Sequence, residues 1–388
     1  MSAVGPLRDV KVLELGGIGP GPFCGMLLAD LGAEVVRIER ESAKAGEPRS
    51  KDPQLRSRRS VAIDLKKPES VEIALRLIER MDVLIEGFRP GVAERLGLGP
   101  AVCLKRNPRL VYARVTGWGQ DGPLAQAAGH DINYIALSGA LHLIGVPGGK
   151  PVPPLNLIGD LAGGGMLLAV GILSALHAAR DCGRGQVVDT AMVDGAAALL
   201  AMHLGWRAEW YFKDAPGENL LAGAAPYYDT YRTKDDKHVA IGALEPEFFA
   251  VLLQKLGLDP ERLGLAGLPA LDDATVRQRW PELRAAIAEA FQARTRAEWC
   301  ALMEGSDACF APVLSVEEAP RHPHNMERRT FIEVDGVLQN TPVPRFSHTT
   351  LDFPRPPRRA GEDSHAVLLE AGFSEEDIQR LRETAVLT

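Results

Sequence analysis

The chain has few cysteines for its length: five among 388 residues, an odd number, with no C-x-x-C pair. That excludes a disulfide-stapled scaffold and a redox dithiol, and fits reduced thiols in a cytosolic protein. It also lacks a surplus of positive charge. Forty-four Lys and Arg face 51 Asp and Glu, a net charge of −7, so the clustered cations that carry nucleic-acid affinity are missing. The first residues show no basic-then-apolar signal pattern, and Thr384-Ala385-Val386-Leu387-Thr388 is no peroxisomal address. A cytoplasmic location is expected. No fixed-period repeat is present and no metal site is expected. One long uncharged run exists, Leu161 to Ala179, nearly long enough to span a bilayer. It contains Gly163-Gly164-Gly165 and His177 and directly follows an acidic residue. A buried core helix is expected there, and no membrane partner.

What remains is ordinary globular material, 46% hydrophobic and 24% charged. A chain this long exceeds the size at which one core stops growing, so two domains are expected. Val10-Lys11-Val12-Leu13-Glu14-Leu15 reads as a buried strand, followed by Gly16-Gly17-Ile18-Gly19-Pro20-Gly21-Pro22, a helix to about Leu31, and a strand at Glu34–Glu39. This βαβ unit predicts an α/β fold with a parallel sheet. It invites a dinucleotide reading, with Glu39 as the ribose-binding acid. Pro22 and Cys24 stand at the critical places of the G-x-G-x-x-G pattern, however, and prolines remove amide donors that a pyrophosphate needs.

Further strands are expected at Val61–Leu65, Asp82–Glu86 and Leu110–Val115, with a helix over Lys67–Met81. Arginines follow the strands: Arg40, Arg89 and Arg95 lie on successive βα connections, where an open α/β sheet binds its ligands. Each alone fits a solvated cationic face. Together they fit a phosphate-reading surface, because the guanidinium fork matches phosphate oxygens. Beyond Gly185–Asp189, a strand, the pattern predicts one long helix over Met192–Phe212. A Gly/Ala/Pro-rich connection, Ala215 to Pro226, then marks a boundary. A hairpin around Lys234–Lys237 and helices to about Met303 suggest a smaller α+β domain. A second hairpin signal stands at Asp335-Gly336, and an amphipathic helix closes the chain from Ser374 to about Thr384.

Two residues stand out. His130, in Gly129-His130-Asp131, and Asp160, in Gly159-Asp160, each sit at the mouth of an expected helix. A helix N-terminus favours negative charge and so holds Asp160 ionised as a base. Each residue alone has an ordinary structural reading, as a loop histidine or a helix cap. As a pair they could take opposite faces of one acidic carbon, one removing a proton while the other returns it. Stabilising the enolate would fall to backbone amides at the helix starts.

The chain resembles the family III CoA transferases (CaiB/BaiF type) and, within that family, its alpha-methylacyl-CoA racemases. The resemblance is carried by Leu13–Pro22, Leu31–Ile38, Gly87–Val92, Gly117–Pro123, Gly129–Tyr134, Pro153–Asp160, Gly185–Asp189 and Ala224–Tyr231, in order along nearly the whole chain. It implies a Rossmann-like large domain built from N- and C-terminal segments, a smaller inserted domain, and an interlocked homodimer. The corresponding spans are 1–190 (large domain), 191–224 (long helix and linker), 225–310 (small domain) and 311–388 (return segment). It implies His130 and Asp160 as the two acid/base groups, with Asp131 and Glu245 as companion acids, Glu245 reaching in from the partner chain. The coenzyme A contacts it implies are Arg40, Ile63, Asp64, Leu65, Lys66, Gly87, Phe88, Arg89, Arg95, Gly129, His130, Asp131, Ile132, Asn133 and Tyr134. Phe88 replaces a tyrosine of close relatives, which leaves stacking and removes a hydroxyl. No cofactor is expected, since coenzyme A enters as part of an acyl-CoA substrate. The alternative within the family is a CoA transferase in which Asp160 attacks the thioester and forms an anhydride. His130 discriminates, because that chemistry needs no histidine.

Overall fold

The structure is a computed structural model that describes residues 5–40, 49–209, 211–265 and 274–387. The chain divides into two compact units. The first comprises Met1–Ser138, Pro154–Leu200 and Met326–Thr388; the second comprises Gly139–Pro153 and Ala201–Asn325. The boundaries differ from those read in the sequence, the second unit taking up the chain at Ala201 rather than at 225. The return to the first unit comes at Met326 rather than at 311, and Gly139–Pro153 joins the second unit.

The first unit is built on a six-stranded parallel sheet: β1 (Lys11–Leu15), β2 (Glu34–Glu39), β3 (Arg59–Ala62), β4 (Val83–Glu86), β5 (Val111–Thr116) and β6 (Val187–Ala191). Their order is β3-β2-β1-β4-β5-β6, so the winding reverses between β1 and β4. Val, Ile and Leu fill the strands because both faces are covered. Leu13, Val36, Leu84 and Tyr112 face one core, closed by helix Pro68–Ile78 and the C-terminal helices Ser364–Glu370 and Glu375–Glu383. Val12, Val35, Val83, Ile85, Val111 and Ala113 face the other, against helices Pro20–Asp30 and Leu167–Cys182. β3 ends at Ala62, short of the Leu65 expected, and Ile63 instead forms an isolated bridge with Leu387.

Two buried ion networks brace this sheet. Glu14 on β1 is fully buried between Arg37 of β2 and Arg58, and Arg56 is buried against Asp30. These arginines therefore hold structure, since a buried carboxylate without a partner would be costly.

The run expected as a buried core helix is two elements. Leu157–Met166 is a π-helix, which passes into the α-helix Leu167–Cys182. Leu168, Ala169, Ile172, Ala175 and Ala179 are buried, but Met166, Leu167, Val170 and Leu173 are exposed. By length and composition alone this continuous stretch could cross a membrane, and 39% of an apolar 18-residue span within it is buried. The three glycines of the π-helix let it pack closely: a Cβ on Gly163 would stand 2.8 Å from the Ala196 amide, and one on Gly165 would stand 2.7 Å from Phe23. The helix expected over Met192–Phe212 is also broken, into Met192–Leu199 and Ala201–Glu209.

In the second unit, β7 (Tyr228–Arg232), β8 (His238–Gly242) and β9 (Phe310–Pro312) form an antiparallel sheet. Helices Pro246–Leu256, Trp280–Gln292 and Arg296–Met303 pack with it around Tyr227, Phe249, Trp280, Phe291 and Trp299. Back in the first unit, β10 (Phe331–Val334) and β11 (Val337–Asn340) form the hairpin signalled by Asp335-Gly336, both of which have positive φ.

Candidate active site

The connections leaving β1, β4 and β5 surround a cavity of ≈ 550 Å³ at the carboxyl ends of these strands. It lies where the strand order reverses, the position at which open α/β sheets bind ligands. From β1 come Gly17, Ile18 and Gly19; from β4 come Gly87, Phe88, Arg89 and Pro90; from β5 come Thr116, Gly117 and Trp118. Gly129, His130, Tyr134, Asn156, Asp160 and Met192 also line the cavity. The two residues singled out as an acid/base pair thus line one cavity.

His130 is exposed and is the N-cap of helix Asp131–Leu137. Its backbone N–H donates to Asn133 Oδ1 at 3.0 Å, which fixes the turn that presents the ring. Asp160 lies in the first turn of the π-helix, half-buried. Burial pushes its carboxyl above the ordinary aspartate range; an Asn156 hydrogen bond opposes this, nearby Asp131 adds to it and His130 opposes it. Asn156 Nδ2 donates to Asp160 Oδ2 at 3.0 Å. Gly19, with φ of +72°, passes so close that a Cβ there would stand 3.4 Å from Asp160 Oδ2. A side chain at that position would be strained and would crowd the acid.

Asp131 is expected as a companion acid and a ligand contact. It is buried and is not part of the cavity wall. Its Oδ2 accepts the backbone N–H groups of Gly159 at 2.6 Å and Asp160 at 2.8 Å, which caps the π-helix from a neighbouring helix. Gly159 must be small for this, since a Cβ would stand 2.6 Å from the same oxygen. Asp131 therefore ties the segment bearing His130 to the segment bearing Asp160.

Tyr134 packs edge-on against Trp118, with ring centroids 4.8 Å apart. Burial raises its hydroxyl above the usual tyrosine range, Asp160 adds to this and Arg89 opposes it. Tyr134 therefore stays neutral beside the acid. Gly117 leaves room for its ring, because a Cβ there would overlap it.

Among the expected ligand contacts, Gly87, Phe88, Arg89, Gly129, His130 and Tyr134 line the cavity. Arg40, Asp64, Leu65, Lys66, Arg95, Ile132 and Asn133 do not. Ile63 is buried in the core beneath Leu387, so its side chain is removed from any ligand; only backbone remains for that role. Glu245 is an exposed residue of the second unit, where it is the N-cap of helix Pro246–Leu256 without a side-chain capping bond. Among the described residues, no group of His, Cys, Asp and Glu is arranged to hold a metal ion. Reasoning from the sequence missed Asn156, Ile18 and Met192. Asn156 had a signal, its four-residue spacing from Asp160.

Comparison with known proteins gives a consistent picture. The model of the family described as CoA-transferase family III matches residues 7–364. The alpha-methylacyl-CoA racemase of Mus musculus is 45% identical over 98% of this chain and 97% of its own length. That of Homo sapiens is 43% identical over 98% of this chain and 97% of its own. The crystal structure of a CaiB/BaiF family protein from Brucella suis is 26% identical, covers 95% of this chain and 100% of its own, and superposes with a TM-score of 0.79.

Proposed function

The chain belongs to CoA-transferase family III, and from that premise we propose that it is an alpha-methylacyl-CoA racemase, an isomerase interconverting the (2R) and (2S) forms of 2-methylacyl-CoA thioesters. One observation carries the reading: His130 and Asp160 line a single cavity. Its relatives named as racemases support it.

In the proposed reaction, one base removes the α-proton and the C–H electron pair moves into the thioester, giving an enolate. The other group, in its acid form, delivers a proton to the opposite face of the same carbon. Which group acts as base depends on the enantiomer bound. The α-proton is weakly acidic, so a base of raised proton affinity narrows the gap, and the burial of Asp160 supplies this. The enolate oxygen needs donors. The Gly159 and Asp160 amides are committed to Asp131, so amides elsewhere around the cavity would have to provide them. Arg89 and Phe88 on the cavity wall suit the phosphate and stacking needs of coenzyme A, with Arg40 and Arg95 farther along the same edge. Coenzyme A arrives as part of the substrate and the side chains move both protons.

Homodimerisation is part of the proposal. The exposed apolar stripe Met166, Leu167, Val170 and Leu173 is the kind of surface that a second copy covers, and Glu245, exposed on the second unit, is the acid that a partner would contribute.

Incubation in heavy water tests the function. Deuterium should enter the α-position of a 2-methylacyl-CoA from either enantiomer, with loss of optical purity. No exchange from either enantiomer would sink the racemase reading. A hydroxylamine- or borohydride-trapped adduct on Asp160 during turnover would establish acyl transfer instead.

A further inference from the structure

Two residues hold Asp160, and they act on different parts of it. Asp131 holds its backbone N–H. Asn156 holds its carboxylate, with Nδ2 donating to Oδ2 at 3.0 Å. The second contact spans the wide first turn of the π-helix, which is closed by the Leu161 N–H bonding to the Asn156 carbonyl at 3.3 Å. Oδ2 is also the oxygen nearest to Gly19, at 3.4 Å from where a Cβ would lie. Asn156 itself belongs to the wall of the cavity that His130 and Asp160 share.

A carboxylate that exchanges protons with carbon must present one oxygen to the substrate, and free rotation would scramble the two. We propose that Asn156 is a positioning residue that engages Oδ2 of Asp160 and leaves Oδ1 as the atom exchanging the proton with the substrate's α-carbon. This rests on the two-base reading above. It has a consequence that a general structural role does not share. Asp160 meets only one face of the α-carbon, so loss of Asn156 impairs proton removal from one enantiomer and spares the other, whose proton goes to His130. The hydrogen bond also favours the ionised carboxylate, so its loss moves the acid limb of that one reaction to higher pH.

The equilibrium constant of a racemisation ties kcat/KM in the two directions together, so the asymmetry must be sought in isotope release. Each enantiomer of an α-deuterated 2-methylacyl-CoA is incubated separately in ordinary water with the full-length enzyme, and deuterium release is followed. Asp160→Asn first identifies the enantiomer that depends on Asp160. For that enantiomer, Asn156→Ala should slow release about tenfold, while release from the other stays within about twofold. Asn156→Asp keeps the side-chain shape but sets a second carboxylate against Oδ2, so its acid limb should move to higher pH than that of Asn156→Ala. Both substitutions are at an exposed position, and melting curves verify folding. Equal slowing of both enantiomers, or no slowing of either, overturns the assignment. If Asp160→Asn itself leaves release from both enantiomers at the wild-type rate, the two-base reading fails first and the role of Asn156 falls with it.

Discussion

Oδ2 of Asp131 lies 2.8 Å from the backbone nitrogen of Asp160, so one buried carboxylate sets the register between the two helix starts that carry the acid/base pair. The residue following His130 thus holds the backbone of the other member of the pair.

This relationship makes Gly159 a sensitive position although it does not line the cavity. Gly159→Ala places a Cβ only 2.6 Å from Asp131 Oδ2, and the carboxylate must shift. Racemisation should fall on the order of 100-fold, as expected when catalytic groups are misplaced by about 1 Å. Asp131→Ala should give a loss of the same order, and the double variant should be little worse than either single one. Additive losses from steady-state kinetics would show that the two positions act independently.

His130→Ala should lose racemisation by roughly 100- to 10,000-fold, the range for a removed general acid/base. Binding of the CoA ester should change only a few-fold, because Phe88, Arg89 and the cavity walls remain. Calorimetric titration with a non-racemising acyl-CoA, run beside the kinetics, separates the two effects. Undiminished turnover would remove the histidine from the mechanism.

Asp160 also predicts a dependence of stability on pH. Its carboxyl has a higher proton affinity in the folded than in the unfolded chain, with burial as the main cause. Its contribution to stability is therefore greatest below the ordinary aspartate range and is lost as pH rises through the raised folded value. At neutral pH the ionised group is a cost to folding. Asp160→Asn should then melt at a higher temperature than wild type at pH 7, with the difference vanishing in acid. Scanning calorimetry across pH 3 to 8 reads this directly (an expected window on the order of the carboxylate range), and an advantage that grew on acidification would reverse the argument.

Most of the first unit was legible because its signals are local. Val12-Leu13 and Val83-Leu84-Ile85 are runs that fit strands covered on both faces. Asp335-Gly336 announced its hairpin for the same reason, a positive φ at both positions. The π-helix was not legible, because the apolar residues from Leu157 to Cys182 run almost without interruption and no period marks the change of winding. Gly139–Pro153 was kept with the wrong unit because packing between distant residues, not local composition, decides its place. His130 and Asp160 were found as residue types beside helix starts. That Asp131 holds the amides of Gly159 and Asp160 was not legible, because only the fold brings residues 28 and 29 positions apart together. Asn156 was missed for a related reason: an asparagine before a helix reads as a cap, whereas its amide is spent on Asp160.

The sheet edge at β3 carries one further implication. Ser60 and Ala62 of β3 receive or donate hydrogen bonds with Asp363 and Ser364, and Ile63 pairs with Leu387. The first unit is therefore closed by residues synthesised some 300 positions after the strand they cover. On the ribosome, the outer edge of the sheet must wait, bare, while the whole of residues 201–325 is made. An uncovered strand edge is a template for pairing between chains. Arg59 at that edge, and the charged Lys66 and Lys67 just beyond it, give the nascent chain some protection during the wait.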